Sequence, residues 1–325
     1  MLSLPDFKEK RIILFFSKDG DKISFKNDNI IIKDCNNKIK CQYTCYKLFI
    51  LFVIGAFDIT SGLVERANRF GFTIIFMNYG FKVYANINSR MEGNTLLREK
   101  QYLNENSNEI AKKIVINKIK NQCQILRKIR KKDNDMKKTI GILDGYVLKL
   151  QNDLFKETEE IMGVEGIAAK QYFKQLYKDF DWNGRQPRVK RDEINLLLDI
   201  GYTTLFNYIE AIANVYGFDI YKGILHKEFF KRKSLICDFI EPFRPIIDYK
   251  IRKMKSLGQI DKNDFINENG RFRIEWKNNS KYMNLFIEEI NQHKEIIFSY
   301  IQNFYRWYMK GANIEKYPEV LLEVK

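Results

Sequence analysis

Histidine is scarce: the 325 residues hold two, His226 and His293, beside five prolines and five cysteines. So few imidazoles leave serine or cysteine triads almost without a base, and no serine stands in a Gly-x-Ser-x-Gly turn. They also exclude zinc catalysis by a histidine-rich site, and the His-Glu-x-x-His pattern is missing. The glycine motifs that cradle nucleotide phosphates, Gly-x4-Gly-Lys-[Ser/Thr] and Gly-x-Gly-x-x-Gly after a strand, are absent as well. The most apolar run, Leu48 to Phe57, has ten uncharged residues, half of the roughly 20 that a membrane span needs. It reads as a buried strand or a core helix. Residues 1–10 carry two acids and no apolar stretch, so no secretory signal is legible there. Cys35, Cys41, Cys45, Cys123 and Cys237 are odd in number, and the first three lack a Cys-x2-Cys spacing, so neither a disulfide framework nor a structural zinc is expected. The expected location is the cytoplasm, the cell interior.

What is present is apolar and basic. With 45% apolar and 14% aromatic residues the chain can bury a core, which a disordered chain cannot. Fifty-six Lys and Arg against 41 Asp and Glu give a net charge of +15, which points to a polyanionic partner, nucleic acid first. Eleven of the basic residues crowd into Lys112–Lys138. Ala111, Val115, Ile119, Gln122/Cys123, Leu126 and Ile129 recur there at helical spacing, so one face is core and the basic residues are expected to cover the others.

The hydrophobic period changes along the chain. Up to about residue 90 it is two: Ile12–Phe16, Ile23 and Phe25, Ile30–Ile32, Phe72–Met77 and Phe81–Tyr84 read as strands, turned at Asp19-Gly20, Asn27-Asp28-Asn29 and Asn78-Tyr79-Gly80. One helix interrupts, capped by Ser61 and ended by Gly71. Beyond a hinge at 91–95 the period is 3.6, broken at Asp181–Arg188 and Lys262–Arg271, with a hairpin turn at Asn269-Gly270 and one long helix over Ser280–Met309. The expected fold is α+β multidomain: a small β-rich amino-terminal domain, 1–90, then a larger all-α domain, 96–325.

With triads and nucleotide loops excluded, what remains is carboxylate chemistry with one histidine. Glu165, Ala168, Ala169 and Tyr172 share a helix face, and Asp238 and Glu241, three apart, share another. His226 lies just upstream of the second pair. Two carboxylates and an imidazole suit Mg²⁺ or Mn²⁺. Acidic residues three apart are also ordinary salt-bridge partners, and Pro242 and Pro245 either kink that helix or end it.

Four stretches together resemble one family. They are Asn94-Thr-Leu-Leu-Arg98; Glu165-Gly-Ile-Ala-Ala-Lys-Gln-Tyr172; Arg185-Gln-Pro-Arg-Val-Lys-Arg-Asp-Glu-Ile-Asn195 with Gly201-Tyr202; and Gly223-Ile-Leu-His226 with Ser234-Leu-Ile-Cys-Asp-Phe-Ile-Glu-Pro-Phe-Arg-Pro-Ile-Ile-Asp248. In this order they resemble the Cas1 family of CRISPR adaptation integrases. The resemblance implies a metal-dependent DNA endonuclease/integrase that inserts prespacer DNA into a CRISPR array by 3′-hydroxyl transesterification, in antiviral defence. It implies metal ligands at Glu165, His226 and Glu241, with Asp238 beside them in the catalytic set. It also implies a homodimer assembled through the β-rich domain, and a small Cas2 partner dimer. Arg185, Arg188, Lys190, Arg191 and Arg244 are candidate contacts for double-stranded DNA. Two other functions are compatible with the charge: a non-catalytic nucleic-acid scaffold, and a branched-DNA repair nuclease.

Overall fold

The computed structural model describes residues 2–323 except 19, 89–92, 105–106, 131–132, 153, 156 and 312. A short helix α1 (Leu4–Lys8) leads into β1 (Arg11–Phe16), and β2 (Lys22–Lys26), β3 (Asn29–Lys33) and β4 (Ile39–Thr44) follow as an antiparallel meander. The β2–β3 turn is built on Asn27 and Asp28 at φ 48° and 55°, a left-handed pair that these side chains tolerate. Next come β5 (Leu48–Ile54), α2 (Ser61–Phe70), β6 (Thr73–Met77) and β7 (Val83–Ile87), which complete a sheet of order β1-β5-β6-β7. β5 runs parallel to β1 and β6, and β7 returns antiparallel. The apolar run is therefore a strand. All seven residues of β5 are buried, as befits a central parallel strand covered on both faces. Leu51 and Val53 pack with Ile30, Ile32 and Leu63 of the meander and α2, whereas Ile50, Phe52 and Ile54 join the core of the helical part. Phe7 stacks on Phe298 at 4.1 Å and belongs to the same helical-side core.

Helix α2 begins one residue earlier than expected: Thr60 is the N-cap, without a side-chain bond, and Ser61 is the first helical residue. Gly71, at φ 70°, ends it as expected. The hinge expected at 91–95 starts at Met91 and Glu92, outside the described residues.

From residue 95 the chain is mostly helical: α3 (Thr95–Tyr102), α4 (Ser107–Lys128), α5 (Asn134–Gln151), α6 (Thr158–Leu176), α7 (Glu193–Tyr216), α8 (Ser234–Ile240) and α9 (Arg244–Ser256). A hairpin of β8 (Phe265–Glu268) and β9 (Arg271–Ile274) turns at Asn269-Gly270, and α10 (Asn279–Gln292) and α11 (Lys294–Lys310) follow. Two expectations change here. The long final helix is two, parted at His293, whose backbone leaves helical geometry while its Nδ1 bonds the Glu289 carbonyl. The basic segment is also two helices, with Asp133 capping α5 through the Met136 amide. α4 does not show its basic residues to solvent all round. It is packed by α5, α6 and α9, and Lys112 and Lys118 are buried with the apolar face. Arg127, Lys128, Arg130, Lys137 and Lys138 are exposed, and Lys131 and Lys132 lie outside the described residues. Among the described residues no helix is long and apolar enough to cross a membrane.

One turn of α4 anchors distant chain. Asn117 receives the Val320 amide on its Oδ1 at 3.0 Å and donates its Nδ2 to the Val320 carbonyl. Asn121 receives the Leu322 amide at 3.1 Å and donates to the Pro242 carbonyl at 2.8 Å. Both asparagines are fully buried.

Candidate active site

Four segments meet beside that turn: Lys118 from α4, Glu165 from α6, His226 from the irregular segment 217–233, and 238–244 at the α8–α9 junction. Pro242 explains the junction. α8 stops at Ile240, a 3₁₀ turn spans Glu241–Phe243, and α9 restarts with Pro245 in its first turn, where a missing N–H costs nothing. The Pro242 carbonyl goes to Asn121, so the turn that carries Glu241 is pinned to α4.

Asp238 is fully buried, and four donors occupy its two oxygens. Oδ2 accepts the amides of Ile224 at 2.6 Å and Leu225 at 3.2 Å; Oδ1 accepts the His226 amide at 3.0 Å and faces the His226 Nδ1 at 2.7 Å. Burial raises its pKa, against the hydrogen bonds that lower it. The segment can close this tightly because position 223 is glycine: a Cβ there would collide with the His226 carbonyl oxygen and with Ser234. An imidazole that donates Nδ1–H to a carboxylate is held in the tautomer that leaves the Nε2 lone pair free. Asp238 is thus placed to position His226 rather than to ligate an ion itself.

Glu241 is 5% exposed in its side chain, and both its oxygens meet cations: Lys118 Nζ at 2.5 Å on Oε2 and Arg244 Nε at 2.9 Å on Oε1. Burial opposes its charge, but Arg244, Lys118 and His226 together bring its pKa down to about 2. The same Lys118 nitrogen pairs with Glu165 Oε1. One nitrogen thus bridges two carboxylates, whose bonded oxygens lie within roughly 6 Å of each other by hydrogen-bond geometry. Glu165 (24%), His226 (15%) and Arg244 (26%) are the solvent-reaching members; Lys118 and Glu241 form the floor. Below Arg244, whose guanidinium lies 4.6 Å over the Tyr202 ring, the Tyr202 hydroxyl bonds Asp248, and burial lifts that carboxyl to about 7.

Glu165, His226 and Glu241 supply the donor kinds a divalent ion takes, with an uncommitted Nε2 and a cradle that already accepts an ammonium. In this arrangement, however, no three His, Cys, Asp or Glu side chains among the described residues gather at ion-holding distance. Lys118 stands between the two glutamates. In the sequence it reads as one of a run of basic residues, although Ile114, Val115 and Gln122, one turn away, are core.

Of the candidate DNA contacts, Arg188 and Arg191 are exposed and Lys190 is half-buried. Arg185 pairs with Asp199 at 2.6 Å and bonds Asn195, and Arg244 is engaged with Glu241. A cavity of about 750 Å³ bounded by Tyr84, Asn86, Arg98, Glu210 and Lys233 shares no residue with this cluster.

A β-rich first part, a helical remainder and carboxylates joined by a buried lysine at a helix junction define an α+β protein with a candidate catalytic site. The chain belongs to the Cas1 family: the profile "CRISPR associated protein Cas1" matches residues 14–288. It is 27% identical over 281 residues to "CRISPR-associated endonuclease Cas1 1" of Thermodesulfovibrio yellowstonii, covering 81% of this chain and 86% of that one. To "CRISPR-associated endonuclease Cas1" of Leptospira interrogans it is 31% identical over 228 residues, covering 65% and 84%. Three solved structures share the fold. A Cas1 protein from Thermotoga maritima gives TM-score 0.79 at 19% identity over 94% of this chain and 98% of its own. A "casposase bound to integration product" gives 0.79 at 20% over 97% and 96%. A "Cas6-RT-Cas1--Cas2 complex" gives 0.80 at 20% over 98% of this chain, which spans about a third (36%) of that one.

Proposed function

We propose that this Cas1-family chain is a metal-dependent DNA endonuclease and integrase that inserts prespacer DNA into a CRISPR array. The observation that supports the reading is that Lys118 ties Glu165 to Glu241, while Asp238, three residues before Glu241, holds His226 beside them. The reaction is a transesterification. The prespacer 3′-oxygen forms a bond to a phosphorus at the leader–repeat boundary, and the bond from that phosphorus to the target strand's own 3′-oxygen breaks. The attacking hydroxyl loses a proton and the leaving oxygen gains one, so the number of phosphodiesters is unchanged and no nucleotide cofactor is consumed.

A Mg²⁺ or Mn²⁺ ion held by Glu165, Glu241 and the His226 Nε2 would supply Lewis-acid stabilisation of the charge that develops on the phosphate. The chain's own residues do the rest. Asp238 keeps the imidazole in the Nδ1–H tautomer and aims its Nε2. Arg244 and Lys118 place positive charge beside the scissile phosphate, while exposed Arg188, Arg191, Lys128, Arg130, Lys137 and Lys138 hold the DNA backbone, which gives register without sequence readout. The likeness to a solved Cas2-containing complex supports a small Cas2 dimer as partner, with this chain as a homodimer.

The test is a joining assay: labelled prespacer DNA, a supercoiled leader–repeat plasmid, and Mn²⁺ or chelator, with and without a Cas2 partner. Metal-dependent label in the plasmid, lost in Glu241→Ala, is the expected result. Cut but unjoined strands would make the protein a repair nuclease. Binding with neither product, unchanged by the substitution, would make it a scaffold and overturn the reading.

A further inference from the structure

We propose that Lys118 is the resident counter-cation of this site: its ammonium holds Glu165 and Glu241 together until a divalent ion enters, and the ion binds only by taking a carboxylate from it, so Lys118 sets the metal affinity. This deepens the metal-dependent reading above and rests on it.

The geometry leads there in three steps. The Lys118 side chain is 8% exposed, and a buried ammonium is tolerated only where carboxylates surround it. It has two such carboxylates, and they come from α6 and from the turn after α8, 47 and 123 residues away. A single nitrogen therefore ties together the two acids that would ligate the ion. Second, the other Glu241 oxygen is held by Arg244, so an ion meets a positive charge at whichever Glu241 oxygen it approaches, and repulsion favours the departure of one of the two cations. Lysine is the one able to leave: its charge is a point at the end of a flexible stem, whereas the Arg244 fork is also fixed over the Tyr202 ring.

Third, the charges fall one short of balance without an ion. Glu165, Glu241 and Asp238 carry three negative charges, and Lys118 and Arg244 two positive ones. A dication added to this set turns the net charge from minus one to plus one, the condition that favours a DNA phosphate. Metal entry and DNA binding are thereby coupled at one site: the metal-free cluster repels phosphate, the loaded one attracts it. Lysine in this place trades ion affinity for a preformed site and a metal-gated grip on DNA.

The experiment compares wild type with Lys118→Met and Lys118→Arg. Mn²⁺ affinity is measured by the electron paramagnetic resonance signal of free Mn²⁺, and folding by circular dichroism. Lys118→Met is expected to melt lower in chelator, because two buried carboxylates lose their partner, yet to bind Mn²⁺ about tenfold more tightly or better. A merely structural lysine gives the opposite sign, since a loosened site binds its ion more weakly. Equal or weaker binding by a folded Lys118→Met protein overturns the proposal. Should that variant not fold, ¹⁵N-lysine-labelled wild type decides: the Lys118 ammonium resonance, assigned by its absence from Lys118→Arg, is expected to shift as Mg²⁺ saturates, and an unmoved signal at saturation overturns the proposal. If wild type binds neither ion, the metal-dependent reading falls separately. Binding gained by Lys118→Met would then still uphold the role of Lys118, and its absence in both would end both ideas.

Discussion

Replacing Asp238 by asparagine changes one atom and tests how the imidazole is aimed. The carboxylate accepts on both oxygens, two donors each. An amide offers one oxygen, so whichever way it turns, two buried donors lose their acceptor and face an NH₂ group. With the amide oxygen kept on His226, the Ile224 and Leu225 amides are orphaned. Each orphaned buried donor costs about 1–3 kcal/mol. Part of this is offset, because a neutral amide avoids the burial penalty that raises the Asp238 pKa. A net loss of roughly 2–4 kcal/mol is expected, read by urea denaturation with the slope unchanged. The segment 223–226 then loosens, and metal affinity and joining fall about 10–100-fold, the usual cost of removing a ligand's outer partner. Histidine ¹⁵N shifts report whether the Nδ1–H tautomer persists. A variant within about 0.5 kcal/mol of wild type, the ordinary range for a surface change, and fully active in joining, would refute the assignment of Asp238 as the group that positions His226.

Asp248 gives a pH signature. Its folded pKa is raised to about 7, so the native state keeps a proton that the unfolded chain releases near 4, and stability declines as pH climbs between those values. Asp248→Asn does not titrate, so its stability relative to wild type is expected to be about 2–3 kcal/mol greater at pH 8 than at pH 5; an equal difference at both would contradict the burial argument. Glu241 acts oppositely: its depressed pKa contributes stability above about 4.5 that is lost as pH falls towards 2, a loss that Glu241→Gln should remove from the acid limb. Asn121→Ala orphans the Pro242 carbonyl and the Leu322 amide, and is expected to cost about 2–4 kcal/mol and to lower joining more than DNA binding in an anisotropy assay. Arg188→Ala and Arg191→Ala should each reduce the slope of log affinity against log salt by about one; an unchanged slope removes that residue from the DNA contact.

The strands were legible because their information is local. Alternation in Ile23–Phe25, the Asn27-Asp28 turn and the uncharged run at β5 each specify their own geometry within a few residues, as does the Asn269-Gly270 hairpin. The candidate residues Glu165, His226, Asp238 and Glu241 were legible as residue types in a recognisable order, and the structure joins Glu165 to Glu241 through Lys118 and His226 to Asp238. What could not be read was the polar layer of α4. Asn117, Lys118 and Asn121 look like ordinary solvent-facing residues in a basic helix, and their burial follows only from partners 203, 123 and 121 residues further on. The parting at His293 was hidden for a related reason: the apolar stripe continues in register on both sides, and nothing in its period marks the backbone change.

The grip of Asn117 and Asn121 on residues 320–322 has a consequence for how this chain can vary. Both asparagines hold main-chain atoms, the Val320 amide and carbonyl and the Leu322 amide, which every amino acid but proline offers alike. Side chains at these positions answer only to packing, and one apolar residue can replace another. Spacing has no such latitude. A single residue inserted between 320 and 322 would slip the segment past its two anchors and turn its buried side chains outward. It would also take from Asn121 the partner that fixes the side chain under Pro242. Substitutions far along the chain are therefore quiet, whereas a one-codon insertion or deletion there reaches Glu241, about eighty residues back in sequence and a few bonds away in space.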